Sequence, residues 1–203
     1  MNFLASVIVI SALYAIMASG FVVIYRASRV LNFAYGDVIL LAGYLAYAMT
    51  AFMGGSLVFS HIIILCVAFL FGLIIYALLI KRMAGQPAYS TIILTVALGI
   101  LMQAITILTW RGQMQSVRLP WRAYITFYGG LRLSSTEIII ILTAMVFFGA
   151  LFSFYRFSKI GRQMSAAAEN PLLASQRNVN IYFVTGLAWA ISIFSAGLTA
   201  ILY

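Results

Sequence analysis

Apolar residues dominate the chain, and its organisation lies in where polar residues interrupt them. Six apolar runs stand out, at residues 3–25, 38–52, 62–80, 91–110, 138–155 and 181–203. A helix needs about 20 residues to cross the hydrocarbon core of a bilayer. In lipid a single apolar segment satisfies its own backbone polar groups only as a helix. The pattern therefore predicts about six membrane-spanning helices in an all-α integral membrane protein, a single domain over residues 1–203. The second run is the shortest, although it extends back through Phe33. It comes after the polar stretch "RASRVLNFAYGD", which predicts a broken or re-entrant element near residues 26–37.

Local signals refine the boundaries. Ser134 and Glu137 have the spacing of a capping box in front of the fifth run, and Glu137 would sit in the first helical turn, where its charge suits the helix dipole. Asn170 followed by Pro171 reads as an N-cap and first helical residue. The 156–180 stretch would then hold two short helices, at 162–169 and 171–177, outside the lipid core. The N-terminal run lacks the basic start of a secretory signal, so it reads as a retained first helix.

Composition narrows the class. The chain of 203 residues is 65% hydrophobic and 7% charged, against about 25% charged in a typical soluble domain. That excludes a soluble enzyme. The formal net charge of +9 would suggest nucleic acid in a soluble chain. Here the basic residues cluster between apolar runs, which reads as topology information and lipid headgroup contact, with no nucleic acid as partner. Arg26, Arg29, Lys81, Arg82, Arg156, Lys159, Arg162 and Arg177 fall on one side; Arg111, Arg118, Arg122 and Arg132 fall on the other. The excess puts the first side in the cytoplasm and the N-terminus outside.

Catalytic chemistry finds no constellation. His61 is the only histidine and opens the third run as an interface residue, and Cys66 reads as a packed thiol. Asp37, Glu137 and Glu169 lie on different segments, and there is no Gly-rich phosphate loop. The chain is expected to be neither an enzyme nor a metal protein. Asp37 is the residue that asks for a role: an intramembrane carboxylate is costly and usually faces a path or a partner. It would either pair with Arg26 or Arg29 across the turn or take part in translocation, together with Arg29, Asn32, Tyr35 and Gly36. Asn32 would cap the next helix, and Gly36 would permit a helix break or close backbone approach. Small residues recur at Ala12, Ala15, Ser19 and Gly20, at Ala42, Gly43 and Ala46, and at Ser192, Ser195, Ala196, Gly197 and Ala200, where they permit close helix packing or line a narrow path. Trp110, Trp121, Tyr124, Tyr128 and Tyr155 suit interface anchoring. The 156–180 stretch is longer than a helix link requires, which points to a cytoplasmic docking surface.

Three stretches resemble the membrane permease subunits of bacterial branched-chain amino acid ABC transporters, of the LivH type. They are "GFVVIYRASRVLNFAYGDVILLAGYLAY", "TIILTVALGILMQAI" and "GRQMSAAAENPLLASQRNVN". Arg29, Val30, Asn32, Phe33, Ala34, Gly36 and Asp37 carry the first match, with Tyr35 where many members have His. Gly161, Arg162, Ala167, Glu169, Asn170, Pro171 and Ala174 lie in the third, which is similar to the loop that contacts the ATPase. The resemblance implies a bacterial inner-membrane subunit that forms half of a translocation path. Its partners would be a second permease subunit, cytoplasmic ATPases that bind ATP and magnesium, and an extracytoplasmic binding protein. The subunit itself would carry no cofactor. Branched-chain amino acids are the first expectation; urea, short amides and other amino acids stay open. So do an ATPase-independent transporter or channel and a non-transporting scaffold. Members are longer, so the chain is expected to lack roughly the last two helices at its C-terminal end.

Overall fold

A computed structural model describes residues 2–53, 57–113, 124–126 and 132–203. Its long helices are α1 (Asn2–Ser28), α2 (Tyr35–Phe52), α3 (Leu57–Leu78), α4 (Ala88–Trp110), α5 (Ser135–Phe157) and α8 (Ile181–Leu202). All six are long and apolar enough to cross a membrane. The short helices α6 (Lys159–Glu169) and α7 (Pro171–Gln176) fill the link between α5 and α8, and a 3₁₀ turn at Ile80–Met83 comes after α3. Strands β1 (Tyr124–Thr126) and β2 (Arg132–Ser134) pair antiparallel, with Tyr124 opposite Ser134. This small ladder, outside the helical spans, is an addition to the all-α expectation. Arg118, Trp121, Arg122 and Tyr128 lie outside the described residues.

The predicted caps form. Glu137 Oε2 accepts the Ser134 N–H at 2.7 Å, completing the capping box of α5. Asn170 Oδ1 accepts the N–H groups of Leu172 and Leu173, both at 3.1 Å, with Pro171 at the first position of α7. Ser158 and Asn180 cap α6 and α8 in the same way.

Helix α8 is the axis of the bundle and the most buried of the six spans. Its small residues work as packing surfaces. A methyl group on Gly72 of α3 would stand 2.7 Å from the Ala190 Cα and 2.8 Å from the Trp189 carbonyl oxygen. Gly186 accepts the Tyr76 ring in the same manner, and Gly197 lies against Ala68. In lipid, where apolar burial gives helices little reason to associate, such close approach supplies the dispersion contacts that do. Trp189 is fully buried in a cluster with Ile24, Ile75, Tyr76, Leu98 and Met102. Cys66, expected to be packed, is exposed on the outward face of α3. Helix α3 is apolar all round, so its sequence does not distinguish core from lipid.

The basic ends meet. The Arg26 guanidinium lies 5.9 Å from the Tyr155 ring centroid, and the Lys81 ammonium 5.5 Å from that of Tyr182. The ends of α1 and α5, and of α3 and α8, therefore share one side of the bundle.

Candidate functional site

The break between α1 and α2 is real, with Asn32, Ala34 and Tyr35 buried in the bundle and Arg29, Leu31 and Phe33 exposed. Helix α1 closes on Arg29, whose φ of 55° is left-handed. Its N–H bonds to the Tyr25 carbonyl at 2.9 Å. Glycine adopts this conformation freely, whereas an L-residue is disfavoured by about 1–2 kcal/mol. Residues 29–34 are not helical. Asn32, 1% exposed, organises them. Its Oδ1 accepts the Ala34 N–H at 3.1 Å and its carbonyl accepts the Tyr35 N–H at 3.3 Å. This is an Asx turn, so Asn32 shapes the approach to α2, while Ala34 holds the N-cap position itself. The Phe33 N–H reaches Thr95 Oγ1 on α4 at 3.3 Å.

The corner sits deep. A methyl group on Gly99 would stand 3.3 Å from the Ala34 Cα and 2.5 Å from Asp37 Oδ2. Gly99 lies halfway along α4, about 16 Å from its start at 1.5 Å per residue. Helix α2 thus begins far up the side of α4. The two helices then run alongside each other to the Tyr44–Trp110 ring contact, at 5.1 Å between centroids.

Depth decides what Asp37 does. Neither arginine pairs with it. The Arg26 guanidinium lies over Tyr155, and Arg29 Nη2 donates to the Ala168 carbonyl of α6 at 2.9 Å. The expected pairing across the turn is therefore corrected: burial of the corner against α4 carries Asp37 away from the helix ends where the arginines work. Asp37 is half-buried in the first turn of α2, where the helix dipole favours its charge. Gln103, one turn beyond Gly99, is exposed on α4.

The remaining predicted residues separate. Tyr35 is fully buried, and its hydroxyl lies 2.9 Å from Ser195 Oγ on α8. Its ring packs on Phe21 at 4.4 Å between centroids, and its hydroxyl fills the space left by Gly20. Gly36 is exposed, with nothing within 4 Å of the position a methyl group would take. The close approaches expected there occur at Gly20 and Gly99 instead. Arg29, Asn32, Tyr35 and Asp37 are thus a fan, directed to α6, the corner itself, α8 and α4 in turn. Asn32 Nδ2, Trp189 Nε1 and Ser192 Oγ are buried polar atoms without hydrogen-bond partners among the described residues. Thr95, Gly99 and Trp189 were missed by sequence reasoning, because one helix does not reveal which residues of another it will meet.

The 156–180 element divides by burial. Gly161, Ala167 and Ala174 are buried. Gly161 approaches the Phe154 carbonyl of α5, and Met164, Ala167 and Ala174 pack with Val23, Val184 and Ala188. These residues hold α6 and α7 to the bundle. Arg162, Glu169, Asn170 and Pro171 are exposed, and Arg162 Nη1 donates to the Phe157 carbonyl at 2.9 Å. Two residues absent from the predicted set complete the exposed surface: Leu172 and Leu173, 76% and 58% exposed. Their signal was the paired leucine directly after a capped Asn-Pro start, in an otherwise polar link.

The chain matches the branched-chain amino acid transport system / permease component family over residues 3–203. The chain belongs to this family. It is a multi-pass membrane permease. It is 23% identical to the high-affinity branched-chain amino acid transport system permease protein LivH of Salmonella typhimurium, over 96% of this chain and 67% of that protein. Its identity to Escherichia coli LivH is 22% with the same coverage. Its identity to Pseudomonas aeruginosa BraD is 23%, over 95% of this chain and 67% of the relative. No solved structure matches the chain.

Proposed function

We propose that this permease is a subunit of a bacterial inner-membrane ABC importer for branched-chain amino acids. It contributes half of the translocation path. A second permease subunit contributes the rest, cytoplasmic ATPases dock on α6 and α7, and an extracytoplasmic binding protein delivers the substrate. The observation that carries the reading is the family match, which runs through the corner and the α6–α7 element alike. The names of the relatives support the substrate class. The basic residues gathered at one end of the bundle support a cytoplasmic position for α6 and α7.

Asp37 supports the path. An ionised carboxylate at the centre of a membrane helix costs about 2.5–3.5 kcal/mol on insertion scales. Asp37 lies against the midpoint of α4 with no cationic partner among the described residues, and exposed Gln103 stands one turn away. A face carrying both suits water or a second subunit better than lipid. The Asp37 carboxylate then stabilises the ammonium end of a zwitterionic amino acid passing the corner, while the apolar side chain moves along the α2–α4 seam.

The test is uptake of labelled leucine, isoleucine and valine by cells that lack their own importer and carry the complete transporter. Uptake should require the ATPase subunits. Uptake that persists without them would replace this reading with an ATPase-independent transporter. Asp37→Asn should lower initial uptake at least tenfold at equal complex abundance, and wild-type rates would remove the carboxylate from the path.

A further inference from the structure

We propose that Arg29 is the strut that couples the ATPase-docking element to the corner of the translocation path, acting as a positioning residue. The inference rests on the docking and path readings above. Its basis is a bond between residues 139 positions apart: Arg29 Nη2 donates to the Ala168 carbonyl at 2.9 Å. That carbonyl belongs to the last turn of α6, where helix carbonyls lack intrahelical partners and where a cation complements the dipole. The bond ties the end of α6 directly to the residue that closes α1.

The choice of residue matters. The left-handed position that closes α1 would be occupied without strain by glycine. This chain places an arginine there, and the geometry explains the substitution by the reach of the guanidinium to α6. Arg26, one turn earlier, stacks on Tyr155 at the end of α5. The end of α1 therefore grips α5 and α6 together.

The backbone beyond Arg29 makes it a transmitter. Residues 29–34 form no helix, so their shape is fixed by turn and side-chain bonds instead of a helical ladder. The Asx turn at Asn32 and the Phe33–Thr95 bond give the corner a defined shape. Directly beyond it come Tyr35, bonded to Ser195, and Asp37, set against Gly99. Exposed Leu172 and Leu173 stand a few residues past Ala168 on α7. A partner that moves α7 moves the Ala168 carbonyl, and Arg29 carries that movement to the start of α2.

The experiment uses the complete transporter in proteoliposomes, measuring ATP hydrolysis and leucine uptake in the same preparation. Arg29→Gly is the decisive variant, because it relieves the left-handed strain and removes the strut together. It should assemble with its ATPases at wild-type yield and hydrolyse ATP, while leucine transported per ATP falls at least tenfold. Arg29→Lys, which keeps a cationic donor, should stay within about threefold of wild type. A wild-type transport ratio in Arg29→Gly would overturn the proposal, as would loss of ATPase recovery in that variant, which would make Arg29 part of the docking surface. Leu172→Glu with Leu173→Glu reports on docking separately. If that chain loses its ATPases while Arg29→Gly transports normally, the strut alone is wrong. If it keeps them, the docking reading falls and the strut with it.

Discussion

Replacing Gly72 by alanine tests the packing that holds the bundle together. The new methyl group would stand 2.7 Å from the Ala190 Cα, 2.8 Å from the Trp189 oxygen and 3.1 Å from the Ala190 nitrogen. All three are backbone atoms of α8, so no side chain can swing aside. Relief requires α3 and α8 to part by roughly 0.7 Å, and a radial gap of that size forfeits a quarter to a half of each dispersion well. If about 40 atom pairs across the crossing each lose a third of about 0.15 kcal/mol, the cost is about 2 kcal/mol. Alanine returns about 1 kcal/mol through helix propensity at any interior glycine, so the comparison needs a control. Gly149→Ala is that control: it is helical and exposed, with nothing within 4 Å of the added methyl. The difference between the two variants should be about 2 kcal/mol, or about 4–8 °C in melting temperature for a chain of this size. Thermal unfolding of both variants in detergent, followed by loss of monodisperse protein, makes the comparison. A Gly72→Ala melting temperature equal to or above that of Gly149→Ala would refute the argument that backbone contact at this crossing sets the stability of the α3–α8 pair.

Further outcomes come from single bonds. Tyr35→Phe removes the hydroxyl bonded to Ser195 and keeps the ring on Phe21; interhelical hydrogen bonds in membranes average about 0.6 kcal/mol with a maximum near 1.7. The variant should lose about 1 kcal/mol or less in steric-trapping or denaturant unfolding, and a loss above about 3 kcal/mol would mean the hydroxyl holds more than Ser195. Asn170→Ala deletes the cap of α7, which is worth about 1 kcal/mol at a typical helix start. Amide exchange at Leu172 and Leu173 should accelerate about fivefold while exchange in α8 is unchanged; equal exchange at both leucines would show that α7 is held by its buried Ala174 alone.

How far the sequence can be read depends on what surrounds each residue. The long helices were legible because lipid leaves an apolar run one way to satisfy its backbone. The caps of α5 and α7 were legible because each is closed within a few residues. Helix α6 was legible as a short helix in outline: it is amphipathic, so Met164, Ala167 and Ala168 face inward and Arg162, Ala166 and Glu169 outward. Several helix starts moved outward by a few residues, as in α2 and α3, where Tyr35 and the Phe59–Ser60–His61 stretch continue a helix beyond its apolar run. The corner was legible as a break and illegible as a geometry. Sequence proximity put Asp37 beside Arg26 and Arg29, whereas the bonds that matter span 62, 139 and 160 positions. Gly99 and Gly72 carry no signal of their own, because a glycine within a helix acquires meaning only from the helix packed on it. Cys66 failed for a related reason: on a helix apolar all round, core and lipid faces look alike.

Rigidity is unevenly distributed in this bundle, and that distribution bears on how it would work. Helices α3 and α8 meet backbone to backbone at Gly72, with Gly186 and Gly197 keeping them close above and below. Prising them apart sacrifices many dispersion contacts at once. The corner between α1 and α2 adds polar bonds to its close packing at Gly20 and Gly99: those of Arg29 to Ala168, of Phe33 to Thr95 and of Tyr35 to Ser195. At about 1 kcal/mol each, releasing all of them costs about 3 kcal/mol. On the docking reading a partner would act first on these bonds, and swinging a two-state element from 1:99 to 99:1 would require about 5.5 kcal/mol of differential binding from it. Variants should therefore fall into two classes. Those at Gly72, Gly186 and Gly197 should lower stability and leave the ratio of uptake to hydrolysis intact in whatever protein survives. Arg29→Gly should change the ratio at nearly constant stability, because the glycine that best relieves the backbone is also the residue that cuts the link.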